Sequence, residues 1–202
     1  MAAPWIRWIP KLRYLTEKIV SMKKLIIGAI VGGFLAFSWQ TVSHTALDLH
    51  RNAEQHTARQ DTVLAFLKGI GLEDGHYLMP RTPAGASDED FMRFAEEIKG
   101  KPWARLSYHS EWNTDMTGNI LRGLFASMLM AGLIVWIIMK MQYPSFGTIL
   151  FTCLFVGMAG FIQFPYSVFI WYKTGDIRAD LIDGVMMWGL CGVWLGIWLR
   201  RR

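Results

Sequence analysis

The sequence predicts an all-α membrane protein: a four-transmembrane-helix bundle with a small α+β extracytoplasmic cap between helices 1 and 2. Three observations predict it. Four apolar runs are nearly free of charge over the length a bilayer requires. Basic residues gather at alternate ends of those runs. Residues 43–118 are polar and separate the first run from the other three. The chain is 52% hydrophobic and only 18% charged, below the roughly 25% charge of a soluble domain.

The first run, 25–42 (LIIGAIVGGFLAFSWQTV), holds no charge. At about 1.5 Å per residue it spans most of a hydrocarbon core of roughly 30 Å. Lys23 and Lys24 precede it. From Met22 the pattern resembles a signal peptide, but the run is long and no small-x-small cleavage site follows, so an uncleaved anchor is expected. Before it, 1–24 is a basic amphipathic segment: Arg7, Lys11, Arg13, Lys18, Lys23 and Lys24 against Glu17 alone, interleaved with Trp5, Trp8, Leu12 and Leu15. It reads as a helix on an anionic cytoplasmic leaflet or as an extended start ahead of Met22.

The remaining spans are expected at 119–140, 145–165 and 183–199. Pro165 ends or kinks the third, and 166–182 is an extracytoplasmic interfacial loop. With the N-terminus inside, inner segments carry ten of the 21 basic residues and one of the 16 acidic ones, which leaves eleven and fifteen for the outer segments. That asymmetry places both termini in the cytoplasm, in a bacterial inner membrane. The net charge of +5 therefore belongs to span ends, and nucleic acid is not an expected partner.

Within 43–118, helices are expected at 58–70 and 87–99 and strands at 76–79 and 103–109. Ser87 with Asp90 forms a capping-box-like start, and Gly100 a stop. So small a module has few core residues and is marginal alone. Cys153 and Cys191 both lie in apolar runs, where a free cysteine acts as a small packing residue.

The spans hold no ionisable residue away from their ends, which argues against a proton pump or a charged pore. No HExxH, paired CxxC, GxSxG or GxxxxGK occurs, so no enzyme class is indicated. All five histidines (His44, His50, His56, His76, His109) fall in the polar segment. His44 with Asp48 and His50 form the candidate metal set, with His76 or His109 as further ligands and Glu54, Asp176, Asp180 and Asp183 as other nearby acids. Imidazole with carboxylate suits a divalent transition metal such as zinc, copper or iron. Against this, a spacing of six sets His44 and His50 about 120° apart on one α-helix.

Gly28 and Gly32 line a ridge of the first span, and Gly189, Gly192 and Gly196 a ridge of the fourth. Such ridges allow close helix contact in lipid, within the bundle or with a second copy. Arg122 is expected to pair with Asp180 and Asp183 at similar depth. The function expected first is non-enzymatic: an accessory, assembly or scaffold subunit whose cap binds a membrane-protein partner. The alternatives are a metal-binding protein or metalloenzyme at the outer face, and a carrier of a neutral or lipidic solute.

Overall fold

The computed structural model describes residues 8–173 and 175–200, with side chains from residue 18 onward. It is 67% helical, with four helices long and apolar enough to cross a membrane and one two-stranded sheet. The chain divides into two compact units. One comprises 1–55 and 116–202, the other 56–115.

The first unit holds the four long apolar helices. Helix α1 runs from Trp8 to Thr41 and continues into a π-helical turn at Val42–Ala46. The backbone from Trp8 is thus continuous with the first span, with no break at residue 24. The amphipathic pattern expected for 1–24 rests largely on side chains outside the described residues. Helix α4 is Thr117–Met139 and α5 is Phe146–Phe161, capped by Ser145, whose hydroxyl accepts the Thr148 amide at 3.0 Å.

A π-turn at Ile162–Tyr166 contains Pro165, and α6 follows at Ser167–Tyr172. Proline lacks the N–H that a regular turn would use, and the widened turn carries the helix past it. The fourth helix, α7, is Ile177–Trp198. Asp176 caps it, accepting the Arg178 and Ala179 amides at 3.2 and 3.5 Å. The segment read as a loop over 166–182 is therefore mostly helix, with a left-handed Lys173 and Gly175 at the turn.

Helix α1 packs on α4 and α7, and α5 packs on α7. The core is Ala36, Ile134, Val135, Ile138, Ile149, Cys153, Trp188, Cys191 and Leu195. Both cysteines are free and buried, and the Cys191 thiol donates to the Gly32 carbonyl at 3.1 Å. The large exposed side chains Phe34, Phe125, Phe151 and Phe155 cover outer helix faces, as faces meant for lipid would.

The glycine ridges are filled from within the bundle. A β-carbon on Gly28 would lie 2.7 Å from Val135, and one on Gly32 3.1 Å from Ala131. Gly189 faces Leu154, Gly192 faces Leu150 and Cys153, and Gly196 faces Phe146. The tightest approach is at Gly33, where a β-carbon would overlap the Met128 backbone. At Gly157 it would meet the Gly184 carbonyl and Trp188.

The second unit holds α2 (Gln60–Gly69), β1 (Gly75–Met79), α3 (Asp88–Ile98) and β2 (Ala104–Tyr108). The strands pair antiparallel, Gly75 opposite Tyr108 and Met79 opposite Ala104. Ser87 caps α3 as its spacing predicts, accepting the Asp90 amide at 3.1 Å. Only Leu67 and Tyr108 are buried among its described apolar side chains. The compact boundary falls at residue 56, so 43–55 belongs with the helices.

Candidate functional site

The site forms where the last turn of α1 meets the start of α7. Trp39 and Ser43, four residues apart, share a face of the helix end. Asp183 lies on the second turn of α7. Its Oδ1 accepts from Trp39 Nε1 at 3.0 Å and from Ser43 Oγ at 2.6 Å, while its Oδ2 stands 2.9 Å from His50 Nε2. Ser43 is the one fully buried polar side chain among the described residues. No buried polar side-chain atom among them lacks a partner.

Backbone geometry gathers the two histidines. The π-turn closes with the Leu47 amide on the Val42 carbonyl at 2.9 Å. Asp48 then takes a left-handed conformation, φ 48°, which aspartate tolerates better than most residues. The Leu49 amide returns to the Ser43 carbonyl at 3.0 Å, and the chain doubles back. The His50 ring thereby stacks on His44, centroids 4.0 Å apart and planes within 11°. The 120° separation would hold on a regular helix; this helix ends between the two residues.

One ligand-capable atom each from His44, His50 and Asp183 lies within 4.8 Å of the others. Of the expected set of His44, Asp48 and His50, the two histidines come together and Asp48 does not; the carboxylate beside them is that of Asp183. The left-handed turn directs Asp48 to Arg51, 3.2 Å away and well exposed. The expected pairing of Arg122 with Asp180 and Asp183 is also absent among the described residues. Asp183 is taken up by Trp39, Ser43 and His50, while Arg122 is exposed. Asp180, one turn before Asp183, lies within electrostatic reach of both imidazoles.

The remaining histidines belong to the second unit. His76 sits opposite Ser107 in the sheet. His109 Nδ1 is 3.7 Å from Asp74 Oδ2, and His56 is exposed. The Ser110 amide bonds Asp74 at 2.8 Å and, with His109 nearby, holds its carboxyl below the usual value.

Sequence reasoning missed Trp39 and Ser43 as partners of the site. The available signal was two hydrogen-bond donors four residues apart at the polar end of an apolar span.

Chemically, the arrangement has two capacities. As it stands, a carboxylate receiving three hydrogen bonds fastens α1 to α7. With the His50 bond released and the stacked rings turned out of parallel, two imidazoles and one carboxylate oxygen could form a three-ligand set, while Trp39 and Ser43 keep Asp183 oriented through its other oxygen. Outer partners of this kind fix the ligands of metal sites.

The chain matches no protein-family model, no curated protein and no solved structure. By the length and composition of its helices it falls in the class of multi-pass membrane proteins.

Proposed function

We propose that this is a metal-binding membrane protein that holds a divalent transition metal on His44, His50 and Asp183. One observation carries the reading: three side chains of the two ligand types that zinc, copper and iron accept, imidazole and carboxylate, come together from residues as far apart as 44 and 183. Three protein ligands leave coordination positions for water or a small ligand, and a metal bound there would act on that ligand as a Lewis acid. The expected home is a bacterial inner membrane with both termini cytoplasmic. Charge asymmetry supports the orientation, since inner segments hold ten of the 21 basic residues and one of the 16 acidic ones. The site then lies at the outer membrane face.

The test is metal analysis of the full chain, purified in mild detergent and dialysed against trace zinc. About one metal per chain is expected, with loss in a His44→Ala/His50→Ala double variant. A metal-free wild type, or unchanged metal in the double variant, overturns the assignment. A Ser43→Ala variant serves as a control, because it loosens the helix junction and leaves all three ligands in place.

A second reading, an accessory or scaffold subunit, draws on the 56–115 unit, which exposes Phe66, Phe91, Met92 and Trp112. Apolar side chains on so small a unit suit a protein partner. Affinity purification from solubilised membranes checks this reading. A stable stoichiometric partner supports it, and a clean monomer removes it.

A further inference from the structure

At the end of the bundle opposite the histidines lies a groove of about 400 Å³. Val20 of α1, Ile138 and Met139 of α4, and Leu199 just past α7 form its apolar walls, and Ser21 and Lys24 stand among them. Ile138 is a core residue, so the groove reaches into the bundle. Lys24 is half-buried and has no ion pair among the described residues. A cation against an apolar wall lacks the water it would otherwise have, and a bound anion restores the balance.

The local charge is one-sided. Lys18, Lys23, Lys24, Lys140 and Arg200 are the charged side chains described at this end and all are basic, whereas the other end mixes Asp48, Asp176, Asp180 and Asp183 with Arg51, Arg122, Lys173 and Arg178. The depth also fits. From Lys24 to His44 the chain is one helical run, and twenty residues at 1.5 Å give about 30 Å, the thickness of the hydrocarbon layer. Lys24 therefore stands at headgroup level on one face when His44 stands at headgroup level on the other.

We propose that this groove binds an anionic phospholipid. One acyl chain lies along Val20, Ile138, Met139 and Leu199. The phosphate pairs with Lys24 and accepts a hydrogen bond from Ser21. The groove supplies the acyl contact and the lysine selects the charge, as basic residues at a membrane face do. The proposal is independent of the metal site.

Native mass spectrometry of the full chain in neutral detergent tests it, with equimolar phosphatidylglycerol and phosphatidylcholine of matched acyl chains. Wild type is expected to retain one phosphatidylglycerol with about five-fold preference. Lys24→Glu abolishes that preference. Val20→Trp keeps the charge, fills the groove and lowers retention of both lipids. Lys173→Glu, at the other end, changes nothing. Helical circular dichroism confirms that each variant is folded. Equal retention of the two lipids by wild type overturns the proposal, as does undiminished preference in Lys24→Glu or undiminished retention in Val20→Trp. Displacement of the lipid by excess glycerol phosphate would assign the site to a free phosphate ester and also overturn it.

Discussion

His50 Nε2 lies 2.9 Å from Asp183 Oδ2, a contact that joins residues 133 positions apart in the chain. Both side chains are mostly shielded, at 17% and 14% exposure. Asp183→Asn is expected to lower unfolding free energy by about 1–3 kcal/mol, the range for a charge-assisted bond partly removed from water. It should lower metal affinity as well. Asp48→Asn, at an exposed pair, should stay within about 0.5 kcal/mol of wild type. Thermal unfolding of the two variants in detergent, with and without zinc, separates them.

Ser43→Ala removes the 2.6 Å donor to Asp183 from a fully buried position. A loss of about 1–2 kcal/mol is expected, since the carboxylate keeps two other donors. Zinc should recover part of that loss through linkage. A melting temperature unmoved by Ser43→Ala would show that the junction does not depend on this bond.

Gly33→Ala forces a β-carbon into the Met128 backbone, and Gly157→Ala forces one onto the Gly184 carbonyl. Each should cost about 1–3 kcal/mol or more, because neither obstacle is a flexible side chain. Gly160, with nothing within 4 Å of a built β-carbon, should accept alanine with a change inside about 0.5 kcal/mol. The three alanine variants can be ranked in one denaturation series.

Asp74 holds its carboxyl below the ordinary 3.8, chiefly through the Ser110 amide. A depressed folded-state pKa contributes stability above the unfolded value and loses it as pH falls through the folded value. Protection of the Ser110 amide against hydrogen exchange should therefore be level from about pH 5 to 8 and drop in acid below 3.8. In Asp74→Asn the acid-dependent drop should disappear.

The spans were legible because lipid leaves a simple trace: uncharged runs of sufficient length, as at 25–42. The cap of α3 was legible because Ser87 and Asp90 act within one turn. The glycine ridges were visible, but not that Gly33, one place off the ridge, makes the closest contact. That depends on the crossing of two helices distant in sequence. The candidate cluster was half visible. His44 and His50 stood out by residue type, yet a helical projection separated them, since nothing local announces a π-turn followed by a left-handed aspartate. Asp183 was one acid among several until α7 placed it beside Ser43.

The contact of Gly33 with Met128 also bears on biogenesis. Helices α1 and α4 touch backbone to backbone, yet the whole 56–115 unit is translated between them. At ordinary synthesis rates, about 5–20 residues per second, the first helix waits roughly 5–20 seconds for its neighbour to emerge. Throughout that interval Gly28, Gly32 and Gly33 form an unfilled notch in the bilayer. A ribosome stalled within the intervening unit would leave that notch open to whichever helix diffuses past.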